Sequence, residues 1–345
     1  MLLSGATTVR IDPVATPAPA DGARGPLKLS IVIPVYRGEK TIERLVRTLL
    51  ENLGSLYALE IVLVNDGSPD DSATVCRRLA AELPLVKFLN LSRNFSEHNA
   101  VMAGLNFATG DYIAIMDDDF QNPPGEVVKL VSEAERGFDV VYSCYAVKQH
   151  HPFRNLGSRL NNLAATMLLD KPRDLYLSSF KVISRFVVQE LVKYDGPYPY
   201  IDGLILRFTR NYSQVLVEHH PRAEGRSGYT LRKLVSLWLN MFTNFSVLPL
   251  RMASLAGFGC AILGIVFGVG FAIEKLHHPE LPAGWASVIV SLFFIGGIHL
   301  FALGMIGEYL GRLFLKDNGR PQFVVREKFN CDEPPRRSAT AHEPG

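Results

Sequence analysis

Residues 30–66 contain SIVIPVY (Ser30–Tyr36), TIERLVRTLLENL (Thr41–Leu53) and EIVLVND (Glu60–Asp66), and this alternation decides the fold. Short β-branched runs are separated by an amphipathic helical pattern. The rhythm continues through ATVCRRLAAEL, VKFLNLS, AVMAGLNFATG and YIAIMDD. Strands that alternate with helices make βαβ units, hence a mostly parallel sheet covered on both faces. The punctuation agrees: Ser68-Pro69-Asp70-Asp71 reads as an N-cap, a proline at the first helical position and acidic residues in the first turn, and Gly110 reads as a helix stop. Further on, DVVYSCY, SSFKVIS and QVLVEHH read as additional strands, so the sheet is expected to become mixed.

A chain of 345 residues can bury one large domain with added elements, or two domains. Its net charge of +2 argues for no nucleic-acid partner, and neither an Arg/Gly-rich arm nor a zinc-spaced cluster is present. Cys76, Cys144, Cys260 and Cys331 are scattered without a C-x-x-C pair, the pattern of reduced thiols in a cytosolic setting. Residues 1–26 and 331–345 are polar or rich in Ala, Pro and Gly, and both read as disordered tails.

Two later segments differ in kind. Met252–Ile273 carries no charge and, at about 1.5 Å per residue, is long enough for a hydrocarbon core of about 30 Å. Ala286–Met305 repeats this, with His299 as its one polar ring, most simply a packing hydrogen bond between helices. A buried hairpin of a soluble protein is the alternative. Arg251 before the first segment and Arg312, Lys316 and Arg320 after the second put both flanks in the cytoplasm by the positive-inside tendency. Just upstream, Thr230–Phe245 spaces Leu231, Leu234, Val235, Trp238, Leu239 and Phe242 as an amphipathic helix, suited to a membrane surface or to a protein core. The resulting division is an α/β domain at 27–229, a juxtamembrane helix at 230–250, two transmembrane helices at 251–311 and a cytosolic segment at 312–330.

Ligands of open α/β sheets bind beyond the carboxyl ends of the strands. Three such ends are polar: Pro34-Val35-Tyr36, Asn65-Asp66-Gly67-Ser68 and Asp117-Asp118-Asp119. Alternation along an extended chain lets Asp117 and Asp119 point one way and Asp118 the other, a hard-oxygen site for Mg²⁺ or Mn²⁺; a solvated acidic loop is the other reading. Between Leu204 and Arg251 lie Arg207, Arg210, Arg222, Arg226, Arg232, Lys233 and Arg251 against Glu218 and Glu224. Such a basic block suits phosphate or anionic headgroups, with Arg222 and Arg226 the strongest candidates. Arg154, Ser158 and Arg159 could hold an acceptor phosphate.

The blocks SIVIPVYRGEKTIERLV, VNDGSPDDS, NLSRNFSEHNAVMAGLNFATGDYIAIMDDDFQNPP, HHPRAEGRSGY and GEYLGRLF, in this order and around two apolar segments, resemble the family 2 glycosyltransferases that load a sugar onto a polyprenyl phosphate. The likeness runs from about Leu29 to Val325 and is nearest to the bacterial undecaprenyl-phosphate formamidoarabinose and glucose transferases, with dolichyl-phosphate mannose synthase more distant. It implies a GT-A domain of Rossmann-like α/β type. The family's D-x-D falls on Asp117 and Asp119 and its following glutamine on Gln121, which would hold the metal and the donor diphosphate. Pro34, Tyr36, Glu39 and Asp66, with Gly67, Ser68, Asp117 and Asp118, would hold the nucleotide. The family's basic motif survives in part as His219 or His220, Arg222, Gly225, Ser227 and Tyr229, with Gly228 where a lysine is common and Arg226 nearby. Asp202, in YPYIDGLILRF, falls where hydroxyl-transferring relatives place a base, and it could instead orient the sugar.

The resemblance further implies a nucleotide-sugar donor, a polyprenyl phosphate acceptor, a multi-pass place in the bacterial cytoplasmic membrane and a homo-oligomer, by its nearest relatives a tetramer. The expected reaction is inverting and metal-dependent, from a donor that is UDP-linked or, alternatively, GDP-mannose. A processive polysaccharide synthase is disfavoured because neither Trp238 nor Trp285 sits in a Q-x-x-R-W-type motif. A non-catalytic scaffold or flippase partner is disfavoured because Asp117, Asp119, Gln121 and Arg222 are all retained.

Overall fold

The computed structural model describes residues 26–145, 172, 175–196, 199–218, 220, 248–277, 284–317 and 321–331. In chain order these give β1 (Lys28–Val35), α1 (Ile42–Leu53), β2 (Ala58–Asn65), α2 (Ser72–Glu82), β3 (Val86–Leu91), α3 (Glu97–Phe107) and β4 (Tyr112–Ile115). A 3₁₀ turn (Pro124–Glu126) then leads into α4 (Val127–Ala134), β5 (Val140–Cys144), β6 (Lys181–Ser184), α5 (Arg185–Leu191), α6 (Ile201–Phe208) and β7 (Tyr212–Leu216). The chain closes with α7 (Leu248–His277), α8 (Trp285–Asp317) and β8 (Val325–Phe329).

Eight strands form one sheet in the order β7-β5-β6-β4-β1-β2-β3-β8. β4, β1, β2 and β3 run parallel, while β6 and β8 are antiparallel to their neighbours, so the sheet is mixed as expected. Near-continuous apolar runs such as Ile31–Ile33 and Ile61–Val64 are what a sheet buried on both faces requires. Successive side chains alternate between two cores: Val32, Val62 and Ile115 pack with α3, α5 and α6, whereas Ile31, Ile33, Ile61 and Leu63 pack with α1, α2 and α4.

Two local expectations are corrected. The helix expected to be capped by Ser68 begins instead at Ser72 with Asp71 at its N-cap, because the Ser68 hydroxyl is engaged with the Val35 carbonyl and the Arg37 N–H. Gly110 is not the cap of α3, which ends at Phe107 with Ala108 as its C-cap; the Gly110 N–H donates to Ser30 Oγ at 2.8 Å and so ties the turn to β1.

Residues 312–330, expected as a segment apart from the catalytic domain, hold the end of α8 and then β8, which pairs antiparallel with β3 in the same sheet. The Phe329 ring stacks on buried Phe88, and Arg77 forks onto Glu327 at 2.7 and 3.0 Å. The two expected apolar segments fall inside α7 and α8, helices of 30 and 33 residues that pack against one another. By length and composition one stretch among the described residues, Phe294–Gly311 in α8, is apolar enough to cross a membrane. The amphipathic segment 230–245 lies outside the described residues.

Candidate active site

The carboxyl ends of β1, β2 and β4 lie side by side, with Val35 in register with Asn65, and Val32 with Ile115. Pro34 is the penultimate residue of β1, and Tyr36 follows the strand, exposed. Arg37 adopts φ +61°, and its N–H donates to Ser68 Oγ at 3.2 Å, linking the two loops. Glu39 accepts from the Asp71 N–H at 3.1 Å, so the entries to α1 and α2 brace each other. Gly67 adopts φ +61° against the Arg93–Asn94 backbone, where an added Cβ would lie 2.5 Å from Arg93 C; the position admits no side chain without displacing main chain.

Asp66 is buried. Burial raises its carboxyl pKa, and the N–H groups of Phe95 and Ser96 oppose the shift. The Phe95 bond is 2.7 Å, so Asp66 organises the loop ahead of α3 as well as the strand tip. Asn65 bonds Asn90 across the sheet at 2.8 Å, which leaves Asp66 as the acidic member of the pair at this tip.

β4 stops at Ile115, so the three aspartates occupy a bend beyond the strand and strand alternation does not set their directions. Asp117 accepts from Ser179 Oγ at 2.9 Å on the β6 side, and Asp119, 8% exposed, accepts from the Gln121 N–H at 3.1 Å. Asp118 turns instead against Gly38: a Cβ on that glycine would sit 2.4 Å from Asp118 Oδ2, which has no hydrogen-bond partner among the described residues. Burial first, then the charges of Asp117 and Asp119, push the Asp118 carboxyl up to about 7. Phe120 follows at φ +59°, a conformation that costs a non-glycine residue about 1–2 kcal/mol, and the Arg44 guanidinium lies 4.2 Å from its ring centre.

Among the described residues no three acidic, His or Cys side chains converge as a complete metal cage. The donor set nonetheless fits Mg²⁺ or Mn²⁺, which take one or two carboxylates and complete their shells with water and substrate phosphate. Crowded carboxylates carrying an orphaned buried oxygen are what a divalent cation relieves. The His220 N–H donates to the Gln121 carbonyl at 2.8 Å, so the chain that enters the basic block runs beside this turn. Arg222, Arg226, Arg154, Ser158 and Arg159 lie outside the described residues.

Asp202, in the first turn of α6, is buried and ion-paired to Lys181, the first residue of β6. This lysine is absent from the sequence-derived site. A lone ammonium in the apolar run Phe180–Ile183 was the available signal, since lysine is almost never fully buried without a partner. The ammonium also lies 5.3 Å from the centre of the Tyr142 ring. Tyr142 is fully buried beside Asp202, yet its hydroxyl has no partner of normal hydrogen-bond geometry among the described residues. His98, in the first turn of α3, meets Tyr200 edge-on at 5.4 Å. Burial pushes its imidazole down to about 4, with Asp202 opposing the shift and Lys181 reinforcing it.

A mixed α/β sheet with loops braced at two parallel tips and an acidic turn at a third is the architecture of a GT-A-like nucleotide-sugar transferase. Residues 30–192 match the family model described as Glycosyl transferase family 2. The chain is 33% identical over 318 residues to the undecaprenyl-phosphate 4-deoxy-4-formamido-L-arabinose transferase of Pseudomonas syringae, covering 90% of this chain and 93% of that one. The enzyme of the same name from Yersinia pestis is 33% identical over 311 residues, covering 89% and 95%. The chain belongs to glycosyltransferase family 2 and is an enzyme of that class. Among solved structures it is similar to glucosyl-3-phosphoglycerate synthase from Mycobacterium tuberculosis in complex with Mn²⁺, UDP-glucose and phosphoglyceric acid, with TM-score 0.49 and 20% identity over 62% of this chain and 77% of that one.

Proposed function

We propose that the protein transfers a sugar, with inversion, from a UDP-linked donor to undecaprenyl phosphate at the cytoplasmic face of the membrane, for cell-envelope glycan or lipid A modification. The observation that carries this reading is the Asp117–Asp119 turn set beside the braced β1 and β2 loops, in a chain that matches undecaprenyl-phosphate transferases over 90% of its length. The choice of UDP follows the nearer likeness to the bacterial formamidoarabinose transferases.

Pro34, Tyr36, Glu39, Asp66, Gly67 and Ser68 would seat the nucleotide. Asp117 and Asp119 with Gln121 would hold Mg²⁺ or Mn²⁺, which when bound supplies charge neutralisation on the diphosphate. Arg222 and Arg226 would stabilise the departing nucleoside diphosphate, and Arg154, Ser158 and Arg159 the acceptor phosphate. A phosphate monoester carries about −1.5 to −2 charge at pH 7 and attacks the anomeric carbon without a general base.

A two-pass arrangement is supported by β8. Residues 318–324 reach at most about 25 Å at about 3.5 Å per residue, too short to cross a hydrocarbon core of about 30 Å and still dock on β3. The end of α8 and the catalytic sheet therefore share one side. A tetramer is the assembly implied by the resemblance. Incubation of membranes with radiolabelled UDP-sugars and undecaprenyl phosphate tests the proposal: label enters the organic phase if it is right and stays aqueous if the protein is a scaffold.

A further inference from the structure

Buried charge occurs at both ends of the sheet, and the two sites differ. At the end away from the strand tips, Glu60 is buried and fully engaged: it accepts from Ser30 Oγ, the Thr109 N–H, Thr109 Oγ1 and Lys87 Nζ at 2.5–2.9 Å. Nothing there is left for a ligand. Nearer the tips, Tyr142, Lys181, Ile115 and Val32 form one row across β5, β6, β4 and β1. Pro34 comes two residues further along β1 and Asp117 two residues past the end of β4, so this row lies immediately below the acidic turn.

In this row the charge is incompletely engaged. Asp202 bonds Lys181 through Oδ1, and the Tyr142 hydroxyl, fully buried, faces the same carboxylate without a hydrogen bond of normal geometry. A buried ion pair is weak as a stabilising device, because well-packed apolar residues of the same volume often serve as well or better. A buried hydroxyl left without a well-formed hydrogen bond beside it adds a desolvation penalty. Both features make sense if the groups meet a polar ligand that arrives with the donor.

We propose that Asp202 and Tyr142 form the floor that seats the donor sugar, and that Lys181 is the residue that positions the Asp202 carboxylate toward a sugar hydroxyl. This deepens, and rests on, the reading of the chain as a nucleotide-sugar transferase. It assigns Asp202 to sugar recognition instead of proton abstraction, in keeping with an acceptor that needs no base. The ligand it selects is a sugar with adjacent hydroxyl or amide groups able to donate to a carboxylate and bond a phenol.

The test uses the purified full chain with UDP, a panel of UDP-sugars and undecaprenyl phosphate, comparing wild type with Tyr142→Phe, Lys181→Met, Lys181→Arg and the apolar double variant K181M/D202L. Expected are UDP dissociation constants within about twofold of wild type, and kcat/KM for the UDP-sugar lowered about ten- to hundredfold in Y142F and K181M. K181R should recover part of the loss. The double variant should keep or raise the melting temperature while staying at least about tenfold less active. A folded K181M/D202L, or a Y142F, that transfers sugar at the wild-type rate overturns the proposal and makes the pair a packing device. A wild-type protein that transfers no sugar from any donor overturns instead the transferase reading on which it rests.

Discussion

Asp119 should be the residue whose loss is felt most sharply. Asp119→Asn preserves shape and the contact to the Gln121 N–H but removes half of the charge offered to a cation, so transfer should fall by about 100-fold or more while the melting temperature holds. Titrating Mn²⁺ into both proteins checks this, since an Asp119 with no metal role leaves the Mn²⁺ dependence unchanged. Gly67→Ala belongs to a different class of effect: φ +61° and backbone at 2.5 Å should cost about 2–4 kcal/mol of stability, read by denaturant unfolding. His98 makes the fold acid-sensitive. Its pKa in the folded state is about 4 against about 6.5 unfolded, so below about 6.5 the unfolded chain binds the extra proton and stability falls as pH drops toward 4. Replacing His98 with Gln should flatten that slope, and an unchanged slope between pH 6.5 and 5 would contradict the assignment. At this scale the acidic turn was legible because like charges crowded at a strand end demand an explanation. Lys181 and Tyr142 were not, because their meeting with Asp202 exists only once β5, β6 and α6 are assembled.

The elements from β1 to β4 were legible for a simple reason: a sheet covered on both faces needs long apolar runs such as Ile31–Ile33, and α1 and α2 carry one apolar face each. β8 escaped notice because VREKF is an edge strand, which proteins keep short and charged, and its pattern carries too few apolar positions to announce a strand. Its attachment is uneven in strength. Arg77→Ala removes a well-formed but exposed pair and should cost about 0.2–1 kcal/mol. Phe329→Ala removes a ring stacked on buried Phe88 and should cost about 2–3 kcal/mol, visible as the larger loss in the same unfolding series. If Arg77 proves the costlier, β8 is held by charge and not by packing. The start of α2 was misjudged by a few residues because the Ser68 hydroxyl serves the neighbouring loop instead of a cap.

For the whole molecule, the return of β8 to the sheet couples the helical hairpin to the catalytic domain at both ends. Exposed apolar side chains along both helices, among them Phe258, Val266, Leu292 and Phe301, offer a surface that a hydrocarbon phase would cover. Single cysteines placed at 280 and at 328, in a chain freed of its native thiols, should react with an impermeant reagent from opposite sides of intact vesicles; labelling from one side alone contradicts the two-pass proposal. The basic block and the acceptor residues were read from sequence, where charge pattern suffices to nominate them. The most direct measurement is transfer itself: purified protein, Mg²⁺ or Mn²⁺, undecaprenyl phosphate and a panel of labelled UDP- and GDP-sugars. The account predicts an organic-extractable product from at least one UDP-sugar, lost on chelation and lost in Asp119→Asn. Folded, nucleotide-binding protein that yields no such product with any donor, or yields it equally well without divalent metal, contradicts it.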